Sequence, residues 1–149
     1  MTQTLNSLFS TAINPPALYD PTPNGYSHVV VAPLNARWLF VAGQGGEDQH
    51  GSLASGFQPQ LQRCLHNLRI ALAAGGATLQ QVTKLTVLVV DHDEARLSLI
   101  ASALRDAWAD KPAPACTLIP VPRLALDGML IEIDATACVG PNQTTERAA

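Results

Sequence analysis

The stretch Lys111 to Cys138, KPAPACTLIPVPRLALDGMLIEIDATAC, constrains this chain most. Its second half alternates, with Met129, Ile131, Ile133 and Ala135 on one side and Leu130, Glu132, Asp134 and Thr136 on the other. A strand with one face in a core has this pattern, so two carboxylates share the second face. Cys116 to Ile119 is apolar and reads as a partner strand, while Pro120 and Pro122 lack the N–H that a ladder needs and should end the pairing. The chain then loops to about Gly128. A hairpin folded near Leu124 places Cys116 across from Glu132 at the ~5 Å separation of a cross-strand pair. A one-residue shift would send every side chain to the other face, so that register is an expectation for the structure to test.

Upstream, Asn14-Pro15-Pro16 and Asp20-Pro21-Thr22-Pro23-Asn24-Gly25 are dense in turn formers and follow a polar start, Met1 to Thr11. Residues 1–13 therefore read as a loose lead-in. Tyr26 to Ala32 and Arg37 to Ala42 are β-branched and aromatic runs joined by Pro33-Leu34-Asn35-Ala36, which predicts a hairpin. Gly43-Gln44-Gly45-Gly46 breaks the second run, and without a following Lys-Ser/Thr it reads as a strand terminus rather than a phosphate loop.

From Phe57 to Ala74 the spacing predicts a helix with Phe57, Leu61, Cys64, Leu65, Leu68 and Leu72 on one stripe, stopped by Gly75-Gly76. Thr78 opens a short turn. Leu85 to Val90 is a nearly continuous apolar run, predicted to be a strand covered on both faces. Asp91 or Asp93 can cap a second helix carrying Leu97, Ile100, Leu104 and Trp108 on its stripe, before Asp110 and Pro112 end it. The order β-β-α-β-α-β-β predicts a single α+β domain over residues 14–139, followed by a disordered tail at 140–149. Two helices on one face of a mixed sheet leave its other face bare, and a neighbouring copy of the chain is the expected cover.

A chain of 149 residues with 47% hydrophobic and 14% charged side chains can bury one core. Its net charge of -3, with Lys and Arg scattered, argues against nucleic acid and anionic membrane partners. Cys64, Cys116 and Cys138 form no CxxC pair and cannot all pair within one chain, so they read as reduced thiols. No basic stretch precedes an apolar segment at the N-terminus, and no later run suits a membrane span, so the expected location is cytoplasmic. His28, His50, His66 and His92 lack metal-ligand spacing, and neither a metal nor another cofactor is expected.

Several stretches in order resemble the RidA/YjgF/UK114 (Rid) family: Asn14-Pro15, Gly25-Tyr26-Ser27-His28, Gly43-Gln44, Ala73-Ala74-Gly75-Gly76-Ala77, the Lys84 strand ending in Asp91, Lys111-Pro112-Ala113, and Leu130-Ile131-Glu132-Ile133-Asp134. The resemblance spans about Asn14 to Val139. It implies a chorismate-mutase-like fold and a homotrimer whose sheets form an inner barrel, with small-molecule clefts between subunits. It further implies hydrolysis of small enamines and imines, such as 2-aminoacrylate and its imine, to a 2-keto acid and ammonia. An arginine in such proteins binds the substrate carboxylate, a glutamate orients water, and a tyrosine lines the cleft.

By position, Glu132 matches the glutamate and Tyr26 the tyrosine. Cys116 stands where the family has its arginine, in Pro114-Ala115-Cys116, and Leu118 and Asp93 are the further cleft-lining candidates. A bidentate guanidinium contact would contribute about 1.5–3 kcal/mol, so its loss points away from 2-aminoacrylate-type imines. Arg123 is seven residues beyond Cys116, ~23 Å along an extended strand and on the opposite face, so it could substitute only from a neighbouring copy, as could Arg37. Cys116 itself has no evident cation to favour a thiolate and reads as a small buried hydrophobe. Two functions remain open at this level: a hydrolytic deaminase with Glu132 as general acid/base, or a noncatalytic trimer binding a metabolite in the same cleft.

Overall fold

The computed structural model describes residues 9–109 and 111–141, and the expectations for residues 1–8 and 142–149 lie outside the described residues. Its elements are strand β1 (Thr11–Ile13), β2 (Val29–Val31), β3 (Arg37–Gln44), helix α1 (Phe57–Ala74), β4 (Val82–Val89), α2 (Glu94–Trp108), β5 (Ala115–Pro120) and β6 (Ile131–Val139). Single 3-10 turns occupy Thr22–Asn24 and Leu79–Gln81.

Helix α1 forms where the apolar spacing places it and buries the whole predicted stripe, together with the polar Gln60. Pro59 lies in its first turn, where no intrahelical N–H is needed. The helix stops because Gly76 adopts φ +73, letting Gly76 N donate to Ala73 O and Ala77 N to Leu72 O, the paired bonds that close a glycine-terminated helix. Helix α2 begins at Asp93, whose Oδ1 accepts from Arg96 N at 2.7 Å. Its buried side chains are Ile100, Ala101, Leu104 and Trp108. The predicted stripe is one residue too long, because Leu97 is 39% exposed.

The main sheet has the order β3-β6-β4-β5 and is mixed, with β4 and β5 parallel and the other pairs antiparallel. Leu39, Leu85, Val87, Val89, Ile131, Ile133 and Ala135 face α1 and α2 in one core. Leu68 is fully buried there, and truncating such a leucine to alanine typically costs ~2–5 kcal/mol. The described fold is thus the α+β arrangement expected, with two helices on one face of a mixed sheet.

Four local expectations need correction. The terminal hairpin does not form: β6 lies between β3 and β4, while β5 pairs with β4 and runs parallel to it, its first residue Ala115 also bridging Ser27. The β4–α2–β5 connection is long enough for a parallel crossover, and the loop from Val121 to Leu130 is too long to impose a hairpin. The N-terminal hairpin is also absent. Instead β2 pairs with β1, Thr11 opposite Val31, so the supposed lead-in is a strand from Thr11 onward. Of the residues between the two runs only Asn35 has positive φ, whereas the tight hairpin turn that matches strand twist needs two. Finally, β4 is not covered on both faces. Its buried residues alternate with half-buried ones because both helices lie on the same side.

Candidate functional site

The uncovered sheet face carries the polar residues of β6 and β4. Glu132 pairs with Leu88, Asp134 with Thr86 and Thr136 with Lys84, all on the side opposite Ile131 and Ile133. At the β3 edge, pairing slips between Val41 and Gln44, and Gly43 sits in that irregularity. A Cβ built on Gly43 would lie 2.0 Å from Glu132 Oε1, so the carboxylate occupies space that only glycine leaves free. Irregularities of this kind commonly redirect a side chain beside a functional site. On β5, Thr117 shares the open face, and Lys84 Nζ donates to Thr117 Oγ1.

Cys116 and Leu118 are elsewhere. They pair with Leu85 and Val87, both fully buried, and pack against the helix-covered core. The predicted Cys116–Glu132 contact is therefore replaced by Leu88 opposite Glu132, with the thiol on the other side of the sheet. Burial pushes the Cys116 thiol up to about 11, with Lys84 acting weakly in the opposite direction. It has no thiolate chemistry at neutral pH.

Tyr26 forms an edge-to-face cluster with Tyr19 and His28, with ring centroids 6.5 Å and 5.7 Å from Tyr26. Its hydroxyl hydrogen-bonds the Tyr19 hydroxyl, and His28 Nε2 bonds Tyr19 O at 2.8 Å. Tyr26 also lines a cleft of about 490 Å³ with Asn14, Ser27, Arg105, Trp108 and Lys111, to which Glu132 does not contribute. Asp93 is the exposed cap of α2. Within one chain, Glu132 and Tyr26 thus belong to separate surfaces, and Asp93, Cys116 and Leu118 join neither.

The arginines considered as substitutes are engaged away from Glu132. Arg37 Nη1 donates to Gly75 O at 2.8 Å, and Arg123 pairs with Asp127 at 3.0 Å on an exposed loop. Lys84 is the open-face cation, but it lies four residues along β4 from Leu88, ~13 Å of extended strand. The alternation that placed Glu132 on the open face could have indicated Lys84 and Thr86 too. Gly43 carried no comparable signal, because its role depends on the slip in pairing.

Among the described residues no three or more His, Cys, Asp and Glu side chains converge to hold a metal, and no helix is long and apolar enough to cross a membrane. The face can offer a carboxylate and hydroxyls to a small polar ligand, with Glu132 able to exchange a proton with water.

A sequence model of the family described as endoribonuclease L-PSP matches residues 19–139. A RutC family protein of Pyrococcus horikoshii is 33% identical over 121 residues, covering 78% of this chain and 90% of the relative. Among solved structures, a Rid family protein of unknown function from Yersinia pestis is 37% identical with a TM-score of 0.82, covering 87% of this chain and 98% of that one. A YjgF/YER057c/UK114 family member from Mycobacterium tuberculosis is 25% identical with a TM-score of 0.60, covering 87% and 99% of the two chains. With its mixed sheet, one-sided helices and matched sequence, the chain belongs to the Rid (RidA/YjgF/UK114) family.

Proposed function

We propose that this protein is a hydrolytic deaminase acting on a small imine or enamine in a cleft between copies of the chain, as a homotrimer. The observation that carries this reading is the Glu132 carboxylate on the uncovered sheet face, with side-chain-free Gly43 beside it. Glu132 removes a proton from water as oxygen adds to the carbon of a C=N bond, and the nitrogen takes up a proton. The carbinolamine then collapses to a carbonyl compound and releases ammonia. A neighbouring copy packed on the bare sheet would bring its Tyr26 to the cleft. The site is thus incomplete in one chain.

The substrate in this reading is uncharged near the reacting carbon. Cys116, at the position where the family resemblance implies a carboxylate-binding arginine, faces the core, and Arg37 and Arg123 have other partners. A net charge of -3 also disfavours a phosphodiester substrate, despite the ribonuclease wording of the family description. The same missing cation supports a second reading, a noncatalytic trimer that binds a metabolite. Ammonia release from imines generated in situ by amine and amino-acid oxidases separates the two. The deaminase reading expects acceleration with neutral imines and little with the 2-aminoacrylate-derived imine. No acceleration with any imine, together with saturable binding, would establish the noncatalytic reading instead.

A further inference from the structure

The end of β3 beside Glu132 owes little of its course to strand pairing. From Arg37 to Val41 it pairs residue by residue with β6, but the register then slips and resumes only at Gln44 opposite Ile133, leaving Ala42 and Gly43 outside it. Side chains from elsewhere enclose this segment instead. Glu132 occupies the place of a Cβ at Gly43, Glu47 and Met129 that of a Cβ at Gly45, and Gln60 that of a Cβ at Gly46. A shift of Gly43 therefore changes the seat of the Glu132 carboxylate.

Helix α1 reaches the backbone of the segment through two side chains. Gln60 packs on Gly46, and Asn67 lies two turns further along the same helix face. Asn67 Nδ2 donates to Gly45 O at 3.1 Å and to Glu47 O at 2.8 Å. Both N–H bonds of one amide are thus spent on the residues that follow Gly43. Gly45 is buried, so its carbonyl has the Asn67 amide in the place of water. Between Gln60 and Asn67 on this stripe stands Cys64, whose thiol is pushed up first by burial and then by the carboxylates of Glu47 and Glu132. The segment and Glu132 meet near one sulfur of the helix.

We propose that Asn67 is a positioning residue for Glu132, holding residues 43–47 so that Gly43 keeps open the space in which the carboxylate stands. Asn67 lies on the helix side of the sheet and acts through the backbone of Gly45 and Glu47. Its effect on catalysis rests on the deamination proposed above, whereas its effect on the carboxylate does not. Displacing a reacting group by about 1 Å can cost ~10²-fold in rate.

Asn67→Leu removes both donors at similar volume, and Asn67→Ala does so without added bulk. Leu72→Ala, fully buried near the far end of the same helix, destabilises the protein away from the segment and is the control. In the full chain, the side-chain carboxyl 13C resonance of Glu132 and the amide resonance of Gly43 should shift in both Asn67 variants and stay in place in Leu72→Ala. With a neutral imine, kcat should fall about tenfold or more in Asn67→Leu while KM stays within about twofold. Added to Gly43→Ala, which already displaces the carboxylate, Asn67→Leu should lower kcat much less than it does alone. Unmoved resonances, equal shifts in the Leu72→Ala control, an unchanged kcat in an active protein, or fully additive losses with Gly43→Ala would overturn the assignment. A wild type that turns over no imine, with a Glu132 resonance that still responds to Asn67→Leu, would remove the deaminase reading and support the positioning of the carboxylate.

Discussion

Glu132 and Gly43 depend on each other, since the carboxylate fills the volume that any side chain at Gly43 would take. Glu132→Gln preserves that volume and leaves the core face of β6 untouched. Turnover should fall ~10²–10⁴-fold with little change in melting temperature. Gly43→Ala should lower turnover as well, because its Cβ displaces the carboxylate, while ligand-independent trimer formation persists. A destabilised but fully active Glu132→Gln protein would remove Glu132 from the reaction. Burial behind Ile131, reinforced by the Glu47 and Glu132 carboxylates, pushes the Cys64 thiol from 9.0 up to about 12. The folded state therefore holds this proton where the unfolded chain releases it. The contribution to stability is complete below pH 9 and is lost as pH rises toward 12. Urea midpoints measured at about pH 8 and about pH 10.5 should drop less in Cys64→Val than in the wild type. The phase of Glu132 was legible because alternation is a property of one strand. The location of Cys116 was not, because the face of β5 depends on which strand it joins.

The elements around the open face are joined by α1. Buried Gln60 donates from Nε2 to Ala54 O at 3.0 Å and Gly128 O at 2.9 Å, and accepts Leu130 N at 2.8 Å. It also packs on Gly46, where an added Cβ would come within 2.5 Å of Gln60 Cγ. One side chain thus holds the loop after β3 against the entry to β6. Gln60→Leu removes three part-buried hydrogen bonds to backbone and should cost roughly 1–3 kcal/mol, read as a lower denaturant midpoint. Hydrogen exchange should quicken at Leu130 in the same variant, whereas a cost from shape alone would leave that amide protected. Helix periodicity made the apolar stripe of α1 legible over its full length. It gave no reason to place a glutamine among the leucines, because Gln60 is buried only by virtue of loops distant in sequence. Strand pairing failed to read for the same reason: β2 and β5 are each short apolar runs with more than one eligible partner. The partners were decided by the crossover through α2 and by the return of the chain to Thr11–Ile13.

At the scale of the whole molecule, the one-sided placement of the helices leaves Trp38 52%, Phe40 81% and Ile119 42% exposed on the far side of the sheet. These side chains lie on the same face as Glu132, Asp134 and Lys84, so the cover must exclude water from the aromatics while leaving a polar cleft. Identical chains packed sheet to sheet about a threefold axis satisfy both demands, since each bare face then supplies and receives a wall. The chain is therefore expected to sediment as a trimer at micromolar concentration. Phe40→Glu introduces a charge at the most exposed aromatic and makes no change to the core below. It should shift the sedimenting species to monomer while helical circular dichroism is retained. If the site is shared between copies, turnover or ligand binding at the Glu132 face must disappear with the trimer. A well-folded Phe40→Glu monomer with full activity would show instead that one chain completes the site by itself, and a wild-type monomer would remove the shared cleft altogether.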